Sequence, residues 1–307
     1  MTRSKYCPQL SRTIPLPAWR TSETFLNRPN ISLDSIALIR FRRQRSGYIE
    51  SDAAKIASTW MPNIFDRTAH RPWPLPTGPW IMSQSWHDLL FAHWPIDAAR
   101  VRPSIPAALE LDTFDGQAWI GIVPFSMSGV RLRWTPALPG FSSFPELNVR
   151  TYVVAQSRPG VWFFSLDAQN RLAVAAARVW FHLPYFYARM TCDNYKGLVH
   201  YRCERRHRRA PAGMLEARYR PAGETFEARQ GTLEHFLTER YCLYAARERR
   251  VYRGEIHHPP WQLQVAEAEL MRNTMAEAAG FAIASSKPLL HFARRQDMVA
   301  WPPRRIA

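Results

Sequence analysis

From Ser83 onward the chain alternates short β-prone runs with turn text. SQSWHDLLFAHWPI (83–96) is rich in aromatic and branched residues and closes around a proline, which predicts a strand. DAARVRPSIPAALEL opens on an N-cap at Asp97 and breaks at Pro103 and Pro106, so one short helix is expected. Asp115-Gly116 predicts a tight turn. It leads into QAWIGIVPFSMSGV (117–130), where glycines set among large apolar residues suit a sharply curved strand. PALPGFSSFPE reads as a loop. ELNVRTYVVA (146–155) and VWFFSLDA (161–168) are expected to form a hairpin turned at Arg158-Pro159-Gly160. The alanine-rich NRLAVAAARVWFHL (170–183) is the best helix in the chain, ended by Pro184. YFYARMTCDN, GLVHYRCERR and GMLEARYRP follow as three strands. TLEHFLTERY reads as a helix capped by Thr232, and YCLYAARERRVYRGEIHH as a hairpin. VAEAELMRNTMAEAAG (265–280) has helical text interrupted near Asn273, and LLHFARRQDMVAWPP supplies a last strand. About ten strands with one dominant helix predict a mainly β (α+β) fold. A closed or partly closed barrel with a few short helices fits better than a parallel α/β sheet.

Residues 1–60 do not share this patterning. They carry scattered prolines and arginines, and their best element is a weak strand near Ile36–Arg42. They are expected to be either a disordered arm or the product of a start codon placed too far upstream, with Met61 the true beginning. The second is favoured, because the segment has neither a core nor a coherent polar low-complexity character. One domain spanning residues 70–303 is expected after it.

Composition narrows the class. Of 307 residues, 46% are hydrophobic and 21% charged, as in ordinary globular domains. The four cysteines form no CxxC pair, and no run approaches the roughly 18 apolar residues of a membrane span. A soluble, cytoplasmic protein without a membrane partner is expected; a homo-oligomer stays open. The net charge of +16 is the loudest feature, yet only four cations are lysine. The arginines spread along the chain rather than following one motif, so nucleic acid is the weakest of the partners considered. The cluster at Arg202, Arg205, Arg206, Arg208 and Arg209 reads as a solvated loop between strands.

The motif catalogue supplies no phosphate loop, metalloprotease helix or nucleophile elbow. No metal or cofactor is expected. Adjacent His257 and His258 point to opposite strand faces and are poorly placed to share an ion. Polar residues where apolar ones belong are more informative. Period two puts Glu146, Asn148 and Arg150 on one face of their strand, with Leu147, Val149 and Thr151 on the other. That polar row either lines a pocket for a small polar or anionic ligand or faces solvent as an Arg–Glu pair. Arg178 and His182, four apart, share a helix face, and Tyr185 and Tyr187 share a strand face just after Pro184.

These blocks in order, from SWHDLLFAHWP through GQAWIGIVPFSMSGV, FPELNVRTYV, GVWFFSLDA, HLPYFYARM and LTERYCLY to YRGEIHHPPW, resemble the YqjF-like bacterial proteins of unknown function. The resemblance runs from about residue 70 to 302 and implies kinship with acetoacetate decarboxylase, hence a β barrel or cone around a ligand cavity. That enzyme works through a lysine Schiff base whose pKa a neighbouring lysine lowers. Its lysine pair would fall at Tyr185 and Phe186, after Phe181-His182-Leu183-Pro184, and neither is an amine. Lys196 sits in turn text beside Gly197. Glu146 falls where the decarboxylase-like proteins carry a pocket carboxylate. The resemblance therefore implies a cavity binding a small organic, oxo-acid-like ligand without Schiff-base chemistry. Glu146, Asn148, Arg150, Arg178, Tyr185 and Tyr187 are the expected contacts. If the protein is catalytic, a lysine-independent lyase, hydratase or isomerase using Glu146, His182 or Tyr185 is the alternative.

Overall fold

The computed structural model describes residues 64–138, 142–283 and 287–307. The expectations for residues 1–60 and for a start at Met61 lie outside them. The described residues build one sheet of thirteen strands with a few short helices, so the mainly β expectation holds.

In chain order the strands are β1 (Met82–Ile96), β2 (Glu110–Leu111), β3 (Ala118–Leu132), β4 (Phe144–Ala155), β5 (Arg158–Ala168), β6 (Tyr185–Tyr195) and β7 (Leu198–Arg205). They continue with β8 (Met214–Phe226), β9 (Cys242–Arg247), β10 (Arg250–His257), β11 (Leu263–Asn273), β12 (Leu289–Ala300) and β13 (Arg304–Arg305). The helices are α1 (Ala98–Val101), α2 (Arg171–Trp180), α3 (Leu233–Thr238) and α4 (Met275–Ala278).

The sheet closes on itself twice. Nine strands in the order β5-β6-β7-β8-β11-β12-β1-β3-β4 form one ring, shut by the β4–β5 hairpin. A second ring keeps β12, β1, β3, β4 and β5 but is completed by β9 and β10, through parallel β5–β9 and antiparallel β10–β12 pairing. The five shared strands are a party wall, and by the strand period each of them shows alternate side chains to the two rings. The nine-strand ring is filled: Leu90, Ile120, Leu147, Val149, Val199, Leu215 and Phe292, each at most 1% exposed, meet in one core. The other face of the wall borders the cavity described below. Gly160 allows the parallel closure, because a Cβ there would lie 2.5 Å from the carbonyl oxygen of Cys242.

Four sequence expectations are corrected. Residues 263–273 are strand β11, not a helix: Ala, Glu, Leu and Met favour a helix locally, but pairing with β8, including the Glu267–Arg220 bridge across it, wins. The β4–β5 turn falls at Gln156 and Ser157 (φ 51° and 57°), and Arg158-Pro159-Gly160 already belongs to β5. Helix α2 stops at Trp180, and His182 adopts φ 56°, so Arg178 and His182 do not share a helix face. Arg205 is not part of a solvated loop: it is buried, and its guanidinium donates to both carboxylate oxygens of Asp167 at 2.6 and 2.7 Å and to Ser165 at 2.9 Å. Arg202, Arg206, Arg208 and Arg209 are exposed.

Candidate ligand-binding site

Bulges decide which side chains reach the second ring. On β1 the residues before Asp88 present Met82, Gln84 and Trp86 to it, and those after present Leu89 and Phe91. The parity changes because Asp88 (φ 50°) is an extra residue against β3, between the pairs His87↔Ser126 and Ala92↔Ile122. Tyr219 fixes the bulge by donating to the Asp88 carbonyl at 2.8 Å. Strand β3 repeats the device near Gly129 (φ 63°): Val123, Phe125 and Met127 face the space before it, Val130 and Leu132 after. The result is a cavity of about 640 Å³ roofed by β9, β10 and α2. Leu138 and Trp180, 59% and 58% exposed, mark its mouth.

Strand β4 supplies the polar wall. Glu146, Asn148 and Arg150 all line the cavity, while Leu147 and Val149 point into the filled ring and Thr151 donates to the Trp119 carbonyl. The polar row runs roughly 13 Å along the strand. Tyr185, at the start of β6, lines the same cavity and donates to Glu146 Oε2 at 2.8 Å. Tyr201 donates to the Glu146 carbonyl at 2.6 Å from the opposite ring, which anchors the residue's backbone. The Glu146 carboxyl is only 4% exposed, and desolvation pushes its pKa from 4.5 up to about 8 despite the Tyr185 hydrogen bond. At neutral pH it is mostly a neutral acid, able to donate as well as accept.

Arg150 ends the row. Its Nη2 donates to the Leu237 carbonyl at 3.1 Å, and the guanidinium lies 5.4 Å from the Phe91 ring centroid. None of the ion pairs among the described residues involves it. Gly121 makes the room: a Cβ there would stand 3.3 Å from Arg150 Cγ and 2.9 Å from the His93 ring. Arg150 Nε and Asn148 Oδ1 are both buried with no hydrogen-bond partner among the described residues. Buried polar atoms are ordinarily satisfied, so these two stand out as unpaired groups in the wall. The indole nitrogens of Trp86 and Trp261, whose rings stack at 5.8 Å in the cavity wall, are likewise unpaired.

The remaining candidates lie elsewhere. Arg178 is exposed and donates to the Tyr185 carbonyl at 2.7 Å, so it braces the strand start from outside. Tyr187 does not line the cavity: two residues beyond Tyr185 the strand has passed under the first turn of α2, where Arg171 stacks on the ring at 4.0 Å. His182 is also absent from the lining, its ring packed 4.6 Å from that of Tyr252. Lys196 and Lys287, the lysines among the described residues, are exposed and outside the cavity.

Several lining residues were not expected from the sequence. Thr238, the last residue of α3, and Arg240 just after it enter the cavity wall. Arg240 is 5% exposed, donates to Asp112 Oδ2 at 2.6 Å and to the Phe236 carbonyl at 2.6 Å, and stacks on Tyr152. The polar Thr238-Glu239-Arg240 triplet between two well-patterned apolar runs was the available signal. His258 also lines the cavity; burial lowers its pKa to about 4, so its imidazole is neutral between the Pro259 and Arg240 carbonyls.

Residues 83–297 match the DUF2071 family, described as an uncharacterised conserved protein. The chain belongs to this family. Uncharacterized protein YqjF of Bacillus subtilis (strain 168) is 48% identical over 231 residues, covering 75% of this chain and 95% of its own. Among solved structures, acetoacetate decarboxylase from Legionella pneumophila superposes with a TM-score of 0.54 at 12% identity, over 81% of this chain and 97% of that one. The enduracididine biosynthesis enzyme MppR complexed with pyruvate gives 0.53 at 12% identity, over 78% and 95%. This DUF2071 member therefore has the acetoacetate-decarboxylase-like fold. No helix among its described residues is long and apolar enough to cross a membrane.

Proposed function

We propose that the cavity binds an organic acid, with the ligand's carboxylate on Arg150 and its further oxygen functions on Asn148 and the Glu146 carboxyl. The observation that carries this reading is a guanidinium facing an apolar cavity with no carboxylate partner among the described residues. Arg150 is half-buried, and a charge set against hydrocarbon is costly unless compensated; a bound anion compensates it. Arginine suits this role because its planar fork matches a carboxylate. The pyruvate complex of MppR, on the same fold, supports an acid as the ligand class. Carbonyl chemistry through an amine is disfavoured, since Tyr185 stands near Glu146 and neither described lysine reaches the cavity.

The test is binding of pyruvate, acetoacetate and longer 2-oxo acids by calorimetry, comparing the wild type with Arg150→Leu. Loss of at least tenfold in affinity is expected; a folded variant with undiminished affinity overturns the assignment. Borohydride treatment in the presence of acetoacetate should leave the protein mass unchanged, and a trapped adduct would refute the amine-free reading.

One observation favours a second, catalytic reading. Glu146, held near neutrality of charge by burial and touched by Tyr185, has the pKa of an effective acid/base at working pH. A lyase, hydratase or isomerase step would then depend on Glu146, and turnover of a 2-oxo or hydroxy acid should vanish in Glu146→Gln while binding survives.

A further inference from the structure

We infer that the cavity selects an acid with an extended apolar body over acids of three or four carbons. This deepens the reading above and rests on its assignment of the carboxylate to Arg150. The first argument is volume. The cavity's 640 Å³ is about twenty times the ~30 Å³ share of one water, whereas a three-carbon acid has six heavy atoms. The second is the placement of polarity. Along β4 the lining runs from Phe144 to Arg150, six residues and roughly 20 Å apart. A small acid on Arg150 would leave most of that length to water.

The third argument is the wall between. Leu89, Val123, Phe125, Met127 and Leu166 present hydrocarbon along it, with few partners for trapped water. Opposite them α2 lines the cavity with Ala173, Ala176 and Ala177 before Trp180, while its buried Val174 packs against the apolar wall beside it. Its outward positions carry the larger Leu172 and Val179, 67% and 60% exposed. The cavity ends at Leu138 and Trp180, so the apolar surface continues to the opening. The charged head therefore sits at the Arg150 end of the row and the apolar body runs along the wall past Glu146.

Calorimetry on the full-length protein with 2-oxo acids of three, six and ten carbons tests this, with decylamine as the length-matched cation. Burial of each added methylene is worth roughly a two- to fourfold gain in affinity, so the ten-carbon acid should bind at least about a hundredfold tighter than pyruvate. Its heat capacity of binding should also be the more negative. Equal affinity for short and long acids would overturn the inference and leave the acid-binding reading standing. Binding of decylamine as tight as that of the ten-carbon acid, or no binding of any acid, would overturn the acid-binding reading itself. Arg150→Leu should weaken all the acids by a similar factor without flattening the dependence on length.

Discussion

The two rings share five strands, yet one is solid and the other hollow. Leu147 and Val149 meet a dense core, while Glu146, Asn148 and Arg150, one residue away on the same strand, face an open cavity. The two buried carboxylates of this wall show the difference most sharply. Asp167 sits across from Leu147, and Glu146 pairs with Ala168. Burial pushes the proton affinity of both upward. Asp167 is answered by the bidentate grip of Arg205 and by Ser165. Glu146 has one phenol, and its carboxyl rises to about 8. A fold that neutralises one buried acid with a full ion pair leaves the other protonatable, and that contrast separates structure from function here.

Breaking the Asp167–Arg205 pair should give the largest effect. Arg205→Met strands a fully buried carboxylate, and removal of one partner from such a pair costs about 3–5 kcal/mol. Urea unfolding should show this loss, and the double variant Asp167→Leu/Arg205→Met should recover most of it. A single variant as stable as the wild type would remove the pair from the list of structural supports.

Next in size is a matched truncation across the wall. Leu147→Ala leaves a void in the packed ring and belongs toward the top of the ~2–5 kcal/mol range for buried leucines. Leu89→Ala, on the cavity face, belongs toward the bottom, because one side of Leu89 already lacks partner atoms. Equal costs would mean that the second ring is as well packed as the first.

Much of this wall was legible in the sequence, and the reasons for success and failure are local. The β4 face could be assigned by period two because its register is regular from Glu146 to Val149; the shift comes only at Arg150. Strand β1 could not be assigned that way, since the extra residue at Asp88 reverses which parity faces the cavity. Strand β11 was disguised by strong helix formers, and His182 by an alanine-rich run that ends three residues earlier than its text suggests. Arg240 was invisible because its role depends on Asp112 and Tyr152, 128 and 88 positions away in the chain. Residues that meet through the closure of a ring leave no periodic trace.

Titrating Glu146 sharpens the comparison with a smaller but more specific effect. The native state holds a proton near pH 7 that the unfolded chain, titrating at the ordinary 4.5, has released. The stability tied to that proton is complete below about 4.5 and is lost as pH rises through about 8. The loss should accumulate between the two values in the wild type. Glu146→Gln has nothing to titrate there, so its stability relative to the wild type should climb over the same window. Parallel pH profiles for the two proteins would show that Glu146 is ionised in the native state.

The finest test concerns the single hydrogen bond at this carboxyl. The Tyr185 hydroxyl donates to Glu146 Oε2 and stabilises the ionised form, opposing the effect of burial. Tyr185→Phe should therefore move the Glu146 midpoint upward, seen as persistence of the protonated carboxyl band in infrared spectra at higher pH. The cost to stability should stay near 1 kcal/mol, the usual worth of one hydrogen bond, with about twice that as the ceiling for a charged acceptor. The direction is the informative part. A downward shift would mean that the phenol accepts from a protonated Glu146 rather than donating to it, and the donor the cavity offers a ligand would then be the tyrosine hydroxyl.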